Sequence, residues 1–544
     1  MSREAHLGDF TTTTRVLPIA GLAVVIGIFA AYVALALLRL INFFTNLFFY
    51  QRISLAAASP ADHHLGWLVV FVPIVGAFIV GVMARYGSEK IRGHGIPEAI
   101  EAILMKGSRV EPKVAILKPV SAAISIGSGG PFGAEGPIIM TGGAFGSLIA
   151  QFFHLTAAER KTLLVAGAAA GMSATFAAPV ASVVLAVELL LFEWKPRSLL
   201  PVAIASAMAA AMRRHLLGVG PVFAVPMHSI MVGWGGLAGC VVAGILAGVL
   251  SALLTNAVYA SEDAFQRLPI HWMWWPPIGG LIIGVGGWFF PHALGVGYDV
   301  IDRLLQGDVP TTFIVGVLVV KSIIWSTSLG SGTSGGVLAP LLMMGAALGA
   351  AESHILPFEG VGFWPLVSLG AVLAGTMRAP LTGVIFALEL THDVNMLLPL
   401  LIAVTFSYGL TVLVLKRSIL TEKISRHGHH LSQEYSIDPL EIIFAKEVVR
   451  PASDEVLADA RVHGVVAYED EPLRVVAYRM AEKGITTLPV LSRSGGTLGV
   501  LELSDLLGAR NRVLDAEQRR ERMLGTREQL RAVASLFGGD RRAS

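Results

Sequence analysis

Apolar runs dominate the chain, and their lengths restrict it to a helical fold in a bilayer. Val16–Leu40 carries one charged residue, Arg39, and Leu65–Ala84 carries none. Each is long enough to cross the hydrocarbon, which needs about 20 residues of helix. Further apolar stretches follow at Leu199–Met212, Ile230–Ala257, Ile278–Phe290, Phe313–Ile324, Gly336–Ala351 and Leu398–Leu415. Others are short and open at or near Gly or Pro: Ile96–Met105, Pro137–Phe153 and Pro380–Glu389. Backbone broken at membrane depth must line protein or water, because its free amides have no partner in lipid. The pattern predicts an all-α polytopic membrane protein with tilted and broken helices whose ends meet at a binding site, as in transporters.

Composition agrees. Of 544 residues 54% are hydrophobic and only 15% charged, against about a quarter charged in soluble domains. A net charge of +2 gives no reason to expect nucleic acid as a partner. Cys240 is the only cysteine, which rules out an intramolecular disulfide or a cysteine-based metal centre. The polar N-terminus runs into the first apolar stretch without a cleavage pattern, so no signal peptide is read there. Arg85, Lys90 and Arg92, then Lys106, Arg109 and Lys113, and finally Arg417, Lys423 and Arg426 lie between or after apolar runs. The positive-inside rule places them, together with the C-terminal domain, on the cytoplasmic side; the expected location is a bacterial inner membrane with both termini cytoplasmic.

The stretch most suggestive of function is Gly127–Pro137, GSGGPFGAEGP. Glycine backbone bends sharply and brings bare N–H groups close to a ligand. At the start of a helix those N–H groups and the helix dipole favour a small anion. Glu135 is therefore either a structural N-terminal carboxylate or a competitor for that anion. The stretch has a partner, GSGTSGGVLAP at Gly330–Pro340, with Pro340 lying 203 residues after Pro137. Ala178-Pro179 through Glu188 likewise pairs with Ala379-Pro380 through Glu389, at an offset of 201. Two motifs repeated in order at nearly one offset indicate duplicated halves around a central site.

Three segments together, GHGIPE (Gly93–Glu98), GAEGP (Gly133–Pro137) and GVLAP (Gly336–Pro340), resemble the CLC family of chloride channels and chloride/proton antiporters. The resemblance extends through FAAPVASVVLAVE (Phe176–Glu188) and MRAPLTGVIFALELT (Met377–Thr391). It implies a homodimer with one anion pore per subunit, each between two inverted repeats. It also implies that Gly93, His94, Gly95, Ile96 and Pro97 line the anion path with Gly133, Ala134 and Gly136. The amides of Val337 and Leu338 would contact the central anion, and Glu135 would be the gate that leaves an anion site when protonated. Such neutral N–H ligands suit transport, since binding must be weak enough for release. Lys118 matches a family lysine near the pore.

Departures from the family pattern bear on mechanism. His94 stands where a serine hydroxyl is usual; it can donate a ring N–H, take up charge near neutral pH, or leave coordination to the backbone. Leu420 stands at the place of a tyrosine anion ligand, and Ala134 replaces a basic neighbour of the gate. Leu189 occupies the position of the internal proton-transfer glutamate of proton-coupled members. Leucine cannot relay a proton, and Glu188 points about 100° away on a helix. These changes favour passive chloride conduction over chloride/proton antiport; a fluoride exporter is a further alternative.

After Arg426 the composition becomes polar. His427, His429 and His430 read as a solvated linker, with a metal site as the alternative. Val465–Tyr468, Thr487–Leu491 and Leu498–Glu502 read as strands, and Pro472–Lys483 and Ser504–Arg510 as helices. This segment resembles a CBS module, which implies an adenine nucleotide near Thr487 and Asp505 or a dimer contact. Ala445–His463 resembles a truncated first module. The expected organisation is a cytoplasmic segment 1–15, a transport domain 16–426, a linker and remnant 427–464, a CBS module 465–510 and a charged tail 511–544, helical to about Leu530 and frayed beyond it. No required cofactor or metal is expected. No HExxH or phosphate-loop motif occurs, so an enzyme is not the reading. A CBS-based sensor without transport is the remaining alternative.

Overall fold

The computed structural model describes residues 12–307, 309–426, 428, 439–453 and 464–511. The linker histidines His427, His429 and His430, the tail beyond 511, part of the N-terminal segment and residues 454–463 of the truncated module lie outside the described residues. The chain divides into two compact units, with the boundary at Gln433/Glu434.

The first unit is helical throughout. Among the described residues, five helices are long and apolar enough to cross a membrane: Val16–Tyr50, Gly66–Tyr86, Trp234–Gln266, Thr311–Gly330 and Val394–Arg426. The first runs ten residues beyond the expected Leu40 because INFFTNLFFY continues the apolar pattern, and it stops where Gln51 turns left-handed at φ 51°. Between these spans lie shorter helices: Ile96–Met105, Pro112–Gly127, Glu135–Gln151 and Leu338–Glu352, of which Pro112–Gly127 is not among the short apolar segments expected. The third of these begins at Glu135 rather than at the expected Pro137, so the carboxylate belongs to the first helical turn.

Small residues let these helices pack closely, as membrane bundles require. Glu135–Gln151 lies against Ala157–Phe176 so tightly that a Cβ on Gly142 would sit 2.3 Å from the Gly167 carbonyl. The reverse contact, a Cβ on Gly167 against the Gly142 carbonyl, would be 2.1 Å. Close backbone approach thus packs these two helices against each other along their middles.

The second unit has a three-stranded sheet. Ala467–Tyr468 pairs in parallel with Thr487–Leu491, which pairs antiparallel with Thr497–Glu502. Leu473, Val476 and Met480 from the Leu473–Lys483 helix pack with Leu488, Val490, Leu501 and Leu506. Residues 503–511 are helical.

Candidate anion site at three converging glycine loops

Three loops that are far apart in sequence hydrogen-bond to one another. The Gly133 amide donates to the Gly336 carbonyl at 3.1 Å, and the Gly336 amide returns a bond to the Gly133 carbonyl at 2.8 Å. Gly93 pairs with Ser334 in a single parallel bridge. Contact between the first two loops is so close that a Cβ on Gly136 would lie 1.7 Å from the His94 carbonyl. The three resembling motifs therefore form one backbone cluster, and Gly95 and Gly136 are where a side chain would strike its backbone.

Three helices start at this cluster, with Gly95, Ala134 and Val337 in the cap positions. Glu98 caps the first by accepting the Gly95 amide at 2.7 Å and is itself paired with Lys423. The other two have no side-chain cap. Uncapped first-turn amides, here including Leu338, are partners for a small anion.

The Glu135 carboxyl fills that place. Its side chain is fully buried and lies over the glycine bridge, where a Cβ on Gly133 would meet Oε2 at 1.6 Å and one on Gly336 would meet it at 2.8 Å. Oε1 accepts a hydrogen bond from the Tyr298 hydroxyl at 3.3 Å. Oε2 is buried without a hydrogen-bond partner among the described residues. The backbone amides of Glu135 itself and of Ala339 also act on this carboxyl.

His94 and Ile96 are buried beside the cluster, and the His94 Nδ1 has no hydrogen-bond partner among the described residues. Pro97 occupies the first turn of its helix, where its missing N–H is harmless. His94, Pro97 and Gly93 also line a cavity of 730 Å³ with Arg92, Tyr259, Glu262 and Lys423. Lys118 is fully buried, and its ammonium donates to the carbonyls of Ile91 at 2.8 Å and Gly93 at 2.7 Å. It does not snorkel; it holds the loop that carries His94. Leu420 is buried near the start of the Ile419–Arg426 helix, and the Tyr259 hydroxyl donates to the neighbouring Ile419 carbonyl.

Leu189 is fully buried in a π-helical turn, Val187–Leu191, that extends the Pro179–Ala186 helix. Glu188, its neighbour, accepts the amides of Leu381 at 3.1 Å and Thr382 at 2.9 Å. Glu389 reciprocates by accepting Val180 and Ala181 at 3.0 and 2.7 Å. Each repeated glutamate thus caps the helix of the other copy.

Tyr298 and Lys321 escape a motif search. Lys321 is buried, donating to Ala293 at 2.9 Å and Gly295 at 2.8 Å. The signal for both was the repeat itself: Lys321 lies 203 residues after Lys118, and Gly295-Val296-Gly297-Tyr298 lies 202 after Gly93-His94-Gly95-Ile96. In the second unit, Asp505 accepts the Glu502 amide at 2.9 Å and is paired with Arg450, while Thr487 is in the sheet opposite Glu502.

Residues 75–412 match the family model described as voltage gated chloride channel. The chain belongs to the CLC family. Residues 457–512 match the CBS domain model. Among curated relatives, the H(+)/Cl(-) exchange transporter ClcA of Klebsiella pneumoniae is 31% identical over 409 residues, covering 70% of this chain and 83% of the relative. The putative chloride channel protein ClcB-like of Ralstonia nicotianae is 30% identical over 353 residues, covering 63% and 82%. A solved structure of a slow cyanobacterial Cl-/H+ antiporter superposes with TM-score 0.68 at 23% identity, covering 77% of this chain and 99% of that one. A CLC-type fluoride/proton antiporter gives 0.63 at 17% identity, with 74% and 97% covered. The CLC fold, with its inverted repeats and broken helices, is thus the fold of this chain, and membrane anion transport is the activity of its family.

Proposed function

We propose that this CLC protein transports chloride through the glycine-loop site, with Glu135 as the gate. The observation that carries the reading is the Glu135 carboxyl lying over the Gly133–Gly336 bridge, against the uncapped helix that starts at Leu338. A carboxylate there competes with chloride; a protonated carboxyl has no charge to hold it, and an anion replaces it. Gly93, His94, Gly95, Ile96, Pro97, Ala134, Gly136, Val337 and Leu338 are proposed to line the path, with Leu420 as an apolar inner constriction. Lys118 supplies positive potential beside it.

Chloride/proton exchange is the first form of this proposal. Relatives named as exchange transporters support it, against the lean towards passive conduction that Leu189 suggests. Without an acid at Leu189, the proton would reach Glu135 through water entering from the cavity lined by His94 and Glu98. Passive conduction is the second form, favoured by the burial of Leu189 in an apolar setting. The reversal potential of purified protein in liposomes separates them. With a chloride gradient fixed, a pH gradient displaces the reversal potential of an exchanger and leaves that of a passive conductor unchanged.

The protein is proposed to work as a homodimer in a bacterial inner membrane, with the basic loop 85–113 and both termini cytoplasmic. The reciprocal caps of Glu188 and Glu389 leave Val180 and Leu381 more than half exposed on neighbouring helices. Apolar side chains on that face suit a subunit contact. For the CBS segment, a contact role is favoured over adenine nucleotide binding, because Asp505 is already engaged by Arg450 and the Glu502 amide.

A further inference from the structure

Tyr298 occupies, in the second copy, the place that Ile96 has in the first, at the start of a helix after a Gly-x-Gly turn. The first-copy residue is apolar; the second-copy residue brings a phenol to the Glu135 carboxyl. Its hydroxyl has no other hydrogen-bond partner among the described residues than Glu135 Oε1, at 3.3 Å. The ring is held edge-on by Phe176 at 6.2 Å and Phe223 at 6.1 Å between centroids. Its turn is fixed from behind by Lys321, which binds the Ala293 and Gly295 carbonyls. A phenol positioned by packing on two sides and a clamped turn has little freedom to point elsewhere.

We propose that Tyr298 is the positioning residue that latches Glu135 over the anion site, a reading that rests on Glu135 being the gate. The hydroxyl donates to the carboxyl, and a donor favours the ionised, seated form over the protonated one. Losing that donor frees the carboxyl at higher pH. The other charged group that acts on Glu135 is Lys321, behind the Tyr298 turn, and the backbone amides of Glu135 and Ala339 act on the same carboxyl. None of these is altered by removing the hydroxyl alone.

The test is Tyr298→Phe, which keeps the ring and its aromatic contacts. Chloride efflux from liposomes is recorded from pH 4.5 to 8 for the native protein, Tyr298→Phe, Glu135→Gln and the double variant. The expected result is a pH profile displaced upward by about half a unit, hence about threefold more flux on its alkaline limb. In the Glu135→Gln background Tyr298→Phe changes nothing, since no carboxylate remains to latch. An undisplaced profile, or one displaced to lower pH, overturns the proposal. So does an equal change of flux in both backgrounds, which marks a structural role for the hydroxyl. If Glu135→Gln alone keeps the native pH dependence, the gate reading falls and the latch falls with it.

Discussion

Lys118 and Lys321 are one residue used twice. They stand 203 positions apart, and each buried ammonium donates to two carbonyls of a glycine turn that opens a helix at the site. A buried charge is tolerated only when hydrogen-bonded, and two neutral carbonyls satisfy the ammonium without cancelling its charge. The arrangement therefore serves two ends. It fixes the turns that present His94 and Tyr298, and it sets two buried amines beside the proposed anion path.

Replacing either lysine by methionine keeps length but leaves two buried carbonyls unpaired, at about 1–3 kcal/mol each. Both variants are expected to unfold at lower temperature in detergent and to carry less chloride. Lys321→Met should also displace the pH profile upward, because the Tyr298 turn is loosened. Thermal unfolding and efflux at several pH values check both effects; native stability in either variant contradicts the clamp.

Glu135→Gln leaves a neutral group of the same size where the carboxyl lies. Chloride flux should become nearly independent of pH between 4.5 and 8, at or above the native acidic rate. Exchange of protons against chloride should disappear in the same liposomes. A retained native pH profile would remove Glu135 from the gate.

Much of this site was legible in the sequence because its chemistry lies in backbone. Glycine runs at Gly93–Glu98, Gly127–Pro137 and Gly330–Pro340 predict turns and bare amides wherever they occur, and the repeat offset predicts that they belong together. The roles of Tyr298 and Lys321 were hidden because a lone aromatic and a lone lysine in an apolar run have many ordinary explanations. Only the offset of about 202 links them to Ile96 and Lys118. The helix starts also shifted: Glu135 is an acceptable first-turn residue, so the helix begins ahead of the proline that marks it in sequence. In the CBS segment the elements followed hydrophobic periodicity, but the first strand is Ala467–Tyr468 rather than Val465–Tyr468, and the pairing of Asp505 with Arg450 depends on a contact between separate segments.

The reciprocal caps of Glu188 and Glu389 can be tested as a pair. Glu389→Ala frees the amides of Val180 and Ala181, and Glu188→Ala frees those of Leu381 and Thr382. Each loss is expected to cost about 1–2 kcal/mol of stability, as for other N-terminal caps. Removing the second cap should cost about the same again if the two are independent. Chloride selectivity should not change, because neither carboxylate touches the glycine cluster.

Adenine nucleotide binding at the second unit would require Asp505 to release both the Glu502 amide and Arg450. Titration calorimetry with AMP or ATP on the full-length protein is therefore expected to show no heat of binding at millimolar nucleotide. Arg450→Ala should leave that result unchanged, as Asp505 still caps Glu502. A saturable heat that Asp505→Ala abolishes would establish the nucleotide site instead.

Gly133 offers a way to displace the gate without touching its charge. A Cβ built there has as its three nearest atoms the carboxyl group of Glu135, at 1.6, 2.4 and 2.5 Å. No backbone atom is among them, and Gly133 is not one of the residues with positive φ. Alanine is therefore compatible with the turn but not with a seated carboxylate. Gly336→Ala is different, because its Cβ would also strike the Gly133 carbonyl at 2.6 Å and the Gly136 amide at 2.9 Å. Gly133→Ala is thus expected to keep the fold and drive Glu135 off the site even when ionised. Chloride flux at pH 7.5 should rise towards the acidic rate, while Gly336→Ala should lower thermal stability. Native-like gating in Gly133→Ala would mean that the carboxyl does not rest on the glycine bridge when the path is closed.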